Sequence, residues 1–599
     1  MAHPAAAGAA APADARLLRH WRTLYALLLV LRALAVLLPG YVHADEFFQS
    51  PEILAGDVFG AEVNPPWEFD PAGTPARSIV PPALVSGLPF WLLQHGLAEE
   101  HRTGRVLLVA PRAVAALLSL GLDAALVRLC RAAGIDPRVP LLWLASSMVT
   151  LVLQTRPFSN SLEAVVLAYA LVLALAPGPP ARRWSAAARA AWFGTVAAAG
   201  VFVRVTFPAF ALPVCAAFLW TASAPAMPKE RAGSRVARMA ALAAVATGAA
   251  ATTAGAFAVV DSLYFGALAP ADLLPLLALP WRQPAAALGL LRAVAARLVW
   301  TPLNNLLYNL QPENLGGHTL HPRWLHVAVN MPALYGPLFF LALGAARRLR
   351  PAALGADRAA LPQWTAAAVC ASSLLVLSLV PHQEPRFLVP LLLPLLVVVA
   401  PALAAGAGRR WWPWWIALNV LSTAGYGGLH QAGVVPSLLH IDACLRPDGA
   451  PGCAATALAW RPCDLPAGTA PCPLHIVYGH TYMPPHHLVE RNRTTLAPPT
   501  RPDLAVQLHD VSGRGVPAMR AAVDRICAQT PAPRDAVRVL LVTGGSIAEA
   551  ELAAAFDAQP LATFGPHVST EHLAAYLAAP WDHRTWAVTV SQVPRPCGA

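Results

Sequence analysis

Apolar runs follow one another along this chain with only short polar groups between them. They lie near 23–40, 106–128, 139–153, 164–178, 190–203, 207–222, 239–263, 325–346, 364–381, 387–407 and 411–435. A helix that crosses a bilayer needs about 20 mostly apolar residues. Only 13% of the 599 residues are charged, where a soluble globular chain usually carries about 25%. The expected fold is an all-α polytopic membrane protein with about 11 transmembrane helices. Residues 79–98 are apolar too. They read as a re-entrant or interfacial segment, because a further span there would break the charge pattern.

The net charge is +11. A nucleic-acid partner would need a basic patch on a soluble face. Here the Arg residues sit in short loops between apolar runs, which is a topology signal. Arg16, Arg19, His20 and Arg22 precede the first run, with no small-residue cleavage site after it. That run reads as a retained signal anchor with a cytosolic N-terminus. Alternation then puts the basic clusters on the cytosolic side: Arg128, Arg131 and Arg138; Arg182 and Arg183; Lys229, Arg231, Arg235 and Arg238; Arg347, Arg348, Arg350 and Arg358; Arg409 and Arg410. The implied organisation is a cytosolic tail over 1–22, a multispanning domain over 23–435 with a first lumenal loop at 41–105, and a lumenal C-terminal region over 436–599.

Two features of the C-terminal region agree with that side. It holds the chain's N-x-S/T sequon, Asn492-Arg493-Thr494, a glycosylation acceptor useful only in the lumen. It also holds Cys444, Cys453, Cys463, Cys472, Cys527 and Cys597, a clustering that suits an oxidising compartment. Val537–Thr543 and Trp586–Val593 read as strands, so this cap is expected to be partly α/β.

The same parity gathers the polar islands on the lumenal face. They are Tyr41–Arg77, with His43, Asp45, Glu46, Gln49 and Trp67; Thr155–Glu163, with Arg156 and Asn160; Arg204–Pro208; Asp261–Gly266; Asn304–Arg323; and His382–Phe387, with Glu384 and Arg386. Charged groups at a membrane edge are costly and mark candidate sites. Six on one face point to a shared cavity. Carboxylates mixed with Arg and His suit transfer from a phosphate-bearing lipid. A carboxylate takes a proton from an attacking hydroxyl, and guanidinium or imidazolium holds the departing phosphate. No Asp-x-Asp occurs, which weakens a metal-nucleotide transferase reading. The Thr543–Ser546 turn is too short a signal for a nucleotide loop. A transporter would set polar residues near the midplane and usually shows an internal repeat. A structural membrane subunit is the third class.

In this order the motifs resemble the dolichyl-phosphate-mannose-dependent mannosyltransferases of the endoplasmic reticulum, glycosyltransferase family 22 of the GT-C type. The matching pieces are His43-Ala44-Asp45-Glu46, Trp67-Glu68-Phe69 with Arg77-Ser78, Thr155-Arg156 with Asn160-Ser161-Leu162-Glu163, Asp261-Ser262, and His382-Gln383-Glu384-Pro385-Arg386-Phe387-Leu388. Ala44 stands where Pro is expected. Further words look like the branch that adds a fourth, side-branch mannose to the glycosylphosphatidylinositol (GPI) precursor. These are Phe47–Glu52, His430-Gln431-Ala432-Gly433-Val434 and Thr481-Tyr482-Met483-Pro484-Pro485. The resemblance covers roughly 41–490.

The resemblance implies a GT-C fold and a lumenal active site in the endoplasmic reticulum membrane. It implies dolichyl-phosphate-mannose as donor, a GPI-anchor glycolipid precursor as acceptor, and an α-1,2 product formed with inversion. One general base suffices, and cations can replace a metal at the phosphate, so no cofactor is expected. Asp45 is the expected base with Glu46 its rival. His382 and Arg386, four apart and on one face if helical, are expected phosphate ligands. Arg204 and Arg156 either join them or pair with Glu163 and Asp261, and Glu384 orients Arg386. Trp67, Trp300 and Tyr308 read first as interface aromatics. The Trp411–Trp415 cluster reads as an interfacial belt. His318 and His321 lack partners for a metal site. A third-mannose GPI enzyme, or an α-1,2 enzyme of the N-glycan dolichol precursor, would share these motifs.

Overall fold

A computed structural model describes residues 18–178, 184–223, 232–277, 284–311, 313–314, 320–349, 358–446, 472–489, 504–530 and 537–597. Asn492, His318, Arg182, Arg183, Lys229, Arg231, Arg350, Cys453 and Cys463 lie outside the described residues. The described chain divides into two compact units. One draws on Met1–Ala33, Pro66–Pro82 and Ala115–Val420; the other on Leu34–Pro65, Ala83–Val114 and Leu421–Ala599.

The first unit is helical. Among the described residues of the whole chain, five helices are long and apolar enough to cross a membrane: Gly104–Ala132, Ala186–Val203, Gly233–Tyr264, Leu361–Leu379 and Pro385–Ala404. A sixth counts if His326–Tyr335 and Pro337–Ala346, bent by 117°, form one span. The other expected runs fold as shorter pieces. Residues 139–153 become Arg138–Ala145 and a π turn at Val149–Leu153, split at Ser146 and Ser147. Residues 411–435 become Trp412–Ala424 and a π turn at Gly425–Leu429. Residues 80–96 are helical throughout, with a π turn at Ala83–Gly87.

Local chemistry sets the helix ends and crossings. Thr103 Oγ1 accepts from Val106 N–H at 3.2 Å and caps Gly104–Ala132. Gly134, at φ +70°, closes the same helix in the left-handed conformation that suits glycine. At Gly194 a Cβ would sit 2.0 Å from the carbonyl oxygen of Ala246, so the helices Ala186–Val203 and Ala232–Tyr264 cross backbone to backbone. Arg32 and Asp123, both inside apolar runs, form a buried bidentate pair at 2.7 and 3.1 Å. The Trp411–Trp415 cluster is not wholly a belt: Trp414 is exposed, but Trp415 is fully buried, stacks on Trp143 at 4.6 Å and donates to Ser146 Oγ at 3.0 Å.

The second unit ends in a five-stranded sheet with strands β1 (Cys472–Gly479), β2 (Leu504–Asp510), β3 (Arg538–Gly544), β4 (Gln559–Phe564) and β5 (Val588–Val593). Their order is β2-β1-β3-β5-β4. β1 runs parallel to β2 and β3, and β5 is antiparallel to β3 and β4. β1 and β3 are apolar runs, as strands buried on both faces require. Helix Val516–Gln529 crosses from β2 to β3, and its Met519 and Val523 pack with Val477 and Leu541 in a hydrophobic core. Cys527 of that helix is disulfide-bonded to Cys597. The expected α/β cap is therefore present.

Candidate active site

The acid pair lies in the second unit. A single helical turn, Asp45–Phe48, carries it, and Ala44 precedes the turn at φ −55°, a value that proline shares. The approach to this turn is clamped from both sides. Gly40 N–H donates to Gly427 O at 2.7 Å, and Tyr41 N–H to His430 O at 3.0 Å. The buried Tyr41 hydroxyl donates to Met483 O at 3.0 Å, and its ring meets Tyr482 edge-on at 5.4 Å. Gln431 Oε1 accepts from Tyr482 N–H at 3.1 Å. The two words around 430 and 482 thus seat the segment that leads into the acids.

The two acids have different surroundings. Glu46 is fully buried and accepts from Arg112 Nε at 2.7 Å. Arg112 is itself buried and also donates to the carbonyls of Val36 and Leu38 at 3.2 and 2.8 Å. This is a structural ion pair, its two charges matched in the interior. Asp45 keeps 17% of its side chain exposed. Its N–H donates to His43 Nδ1 at 3.1 Å, and Gln49 Nε2, one turn on, donates to its Oδ2. Asp45 is oriented and partly exposed, with His43 Nδ1 at 3.3 Å from its Oδ1; Glu46 is committed to Arg112. Arg112 itself was missed in the sequence, although a lone Arg inside the 106–128 run was a signal.

Glu52 is a third acid in this unit. It is fully buried at the start of helix Pro51–Phe59. Its oxygens accept from His487 Nδ1 at 2.5 Å, from His486 N–H at 3.1 Å and from Asn64 N–H at 3.2 Å. Burial raises a carboxyl, but the hydrogen bond and charge of His487 outweigh it and hold Glu52 below the usual carboxylate range.

The first unit joins the other polar islands into a chain of contacts. Glu68 accepts from Arg77 Nε at 2.8 Å, and Arg77 reaches Ser159 Oγ at 3.4 Å. Arg204 donates to the same Ser159 Oγ at 2.8 Å and to Asn160 Oδ1 at 3.5 Å. The Arg204 Nε lies 3.4 Å from buried Glu163, which also accepts from Thr206 Oγ1 at 2.8 Å. Two guanidinium groups lie near the Phe387 ring, Arg204 at 5.2 Å and Arg386 at 5.4 Å from its centroid. Arg386 Nε donates to Glu384, whose other oxygen takes His382 Nε2 at 2.7 Å.

Some expectations change here. His382 and Arg386 do not share a helix face. The 3-10 helix starts at Pro385, His382 precedes it outside any helix, and the two meet through Glu384. Arg204 pairs with Glu163, whereas Asp261 is held by Ser78 Oγ at 2.9 Å, Thr301 Oγ1 at 2.8 Å and Ile79 N–H at 3.0 Å. Arg156 is fully buried and donates to Val152 O at 2.9 Å. Trp67 stacks on Tyr308 at 4.0 Å. Ser159, Thr206 and Phe387 were not singled out by type, since a hydroxyl or a ring in an apolar run carries no charge signal.

Comparison with known proteins bears on what these residues do. Residues 23–443 match the model of the Alg9-like mannosyltransferase family. Over 501 residues the chain is 35% identical to the GPI alpha-1,2-mannosyltransferase 4 of Homo sapiens, covering 78% of this chain and 76% of that one. It is 32% identical over 518 residues to the GPI mannosyltransferase 4 of Emericella nidulans, covering 84% and 82%. The crystal structure of ArnT from Cupriavidus metallidurans in the apo state covers 97% of this chain and 99% of its own at 14% identity, but a TM-score of 0.37 is too loose to argue from.

Proposed function

Since the chain belongs to the Alg9-like mannosyltransferase family and is a glycosyltransferase, we propose that it transfers mannose from dolichyl-phosphate-mannose to the third mannose of a GPI-anchor precursor, adding a fourth, α-1,2-linked branch. The observation that carries this acceptor is the 501-residue similarity to a human enzyme whose name gives both the glycolipid and the linkage. The words at 430–434 and 481–485 support it, because they seat the acid-bearing turn.

In this reading Asp45 is the general base. It takes the proton of the acceptor's 2-hydroxyl as that oxygen bonds to the anomeric carbon of the donor. The bond from that carbon to the phosphate oxygen breaks on the opposite face, so configuration inverts. The bonding pair leaves on dolichyl phosphate. Arg386 and His382, aligned by Glu384, and Arg204, aligned by Glu163, are assigned to the phosphate as it gains charge. Arg156, Asn160, Asp261, His43, Gln49 and Trp67 shape these two groups. No cofactor or metal takes part in this scheme. We further propose a GT-C architecture of about eleven membrane passes in the endoplasmic reticulum, with the N-terminus cytosolic and residues 436–599 lumenal.

The test supplies membranes holding the full chain with dolichyl-phosphate-mannose and a three-mannose GPI lipid. A fourth mannose sensitive to α-1,2-mannosidase is expected. Transfer only to a two-mannose GPI lipid or to an N-glycan dolichol precursor would reassign the acceptor.

A further inference from the structure

The second unit contains a polar cleft of about 480 Å³ that the transfer scheme leaves unused. One wall is the edge strand β2 with the start of the turn after it, Gln507 to Val511. A second is the face of helix Val516–Gln529 that carries Arg525 and Gln529. The third is formed by Glu62, Asn64 and His486.

The lining is mixed in a way that selects its ligand. It offers three side-chain amides, Asn64, Gln507 and Gln529, each both donor and acceptor. Two carboxylates line it, Glu62 and Asp510, the second already accepting from Ser512, beside one guanidinium, Arg525, and two imidazoles, His486 and His509, that burial holds below the usual histidine range. A phosphate would face two carboxylates with one strong cation. Among the described residues no group of three or more His, Cys, Asp or Glu is arranged to hold a metal ion. Val63, Leu508 and Ile526 add short apolar surfaces. Vicinal hydroxyls that both donate and accept, carried on a ring with apolar C–H faces, match such a lining. The volume falls in the range of small-ligand pockets, about 300–1,000 Å³.

The cleft is also braced. Glu52 accepts the backbone N–H of both Asn64 and His486, so one buried carboxylate fixes the third wall. The helix wall is pinned by the Cys527–Cys597 disulfide. A pocket with fixed walls loses little freedom when a ligand orders in it.

We propose that this cleft binds a neutral sugar ring of the acceptor glycan, so that the second unit holds the acceptor as well as carrying Asp45. The proposal rests on the glycan-acceptor reading above. Losing one amide hydrogen-bond pair from such a site weakens binding by about 10-fold.

The test titrates a soluble α-linked mannotriose against the purified full-length protein. Gln507→Leu and Gln529→Leu are each expected to weaken binding about 10-fold and to raise the acceptor KM alike, with donor KM and melting temperature unchanged. Asp510→Asn, which keeps the shape, serves if a Leu variant fails to fold. Asp45→Asn should bind mannotriose as the native protein does while losing turnover. Native affinity and native acceptor KM in the folded cleft variants would overturn the proposal, as would absence of any millimolar mannotriose binding. If the three-mannose GPI lipid is not a substrate but the cleft variants still lose mannotriose, the acceptor reading fails and the cleft stands.

Discussion

In the proposed scheme two neighbouring carboxylates divide into a reactive group and a structural one, and substitution separates them. Asp45→Asn keeps the shape and removes the base, so transfer is expected to fall by about 10²–10⁴-fold with melting temperature unchanged. Near-native turnover would move the base elsewhere. Glu46→Gln leaves the buried Arg112 unmatched, and the expected loss is in stability, about 3–5 kcal/mol, read as a lowered melting temperature. Arg386→Lys keeps the charge but not the planar fork that Glu384 aligns, so kcat/KM for the donor should drop with acceptor KM unaltered. The motif letters marked Asp45, Glu46, His382 and Arg386 in the bare sequence. What they did not carry was partnership. Arg112 is 66 positions from Glu46 and Glu163 is 41 from Arg204, and nothing in local spacing links such residues.

Where an apolar segment is helical was legible; where it bends or breaks was less so. The 325–346 run reads as one span, yet it turns by 117° at Gly336, φ +42°, just before Pro337. A Gly-Pro pair is a breaker signal that hydropathy alone overrides. The 139–153 run breaks at a Ser pair: Ser146 Oγ donates back to Leu142 O, and Ser147 Oγ accepts from Val149 N–H. The β3 and β5 runs were readable because apolar residues bounded by polar ones form a short, self-declaring pattern. Helix crossings were not, since they depend on single small residues. Gly194→Val places branched carbon against the Ala246 carbonyl and is expected to cost about 1–3 kcal/mol or more. Gly255→Ala, with nothing within 4 Å of its added carbon, is the neutral comparison in the facing helix. A melting temperature equal in both would refute the backbone contact. Cys597→Ser opens a 70-residue loop and should destabilise the cap by about 4 kcal/mol, seen as faster proteolysis of residues 504–597.

At the scale of the whole molecule, pH acts on the cap through buried histidines. His475 is pushed down to about 4 by burial and then by His509, and His480 to about 4 by burial and then by His572. Between about 4 and 6.5 these rings stay neutral in the folded chain but take protons when unfolded. The unfolded state then binds more protons, so cap stability should rise as pH rises from 4 to 6.5 and level off above. Glu52, held low, adds to this: its contribution is present above its unfolded value and is lost as acid protonates it in the folded chain. Hydrogen exchange of β1 and β3 across that range would show the slope; a flat profile would contradict it. The pairing of Glu52 with His487 also fixes an order of events in synthesis. Their 435-residue separation takes roughly 20–90 s to translate at about 5–20 residues per second. Through that interval the segment behind the acid pair has been made but its partner has not, so it waits unmatched until residue 487 is synthesised. Chains cut short before residue 486 lack the His486 and His487 bonds to Glu52, so that early loop is expected to lose its latest-made anchor in them.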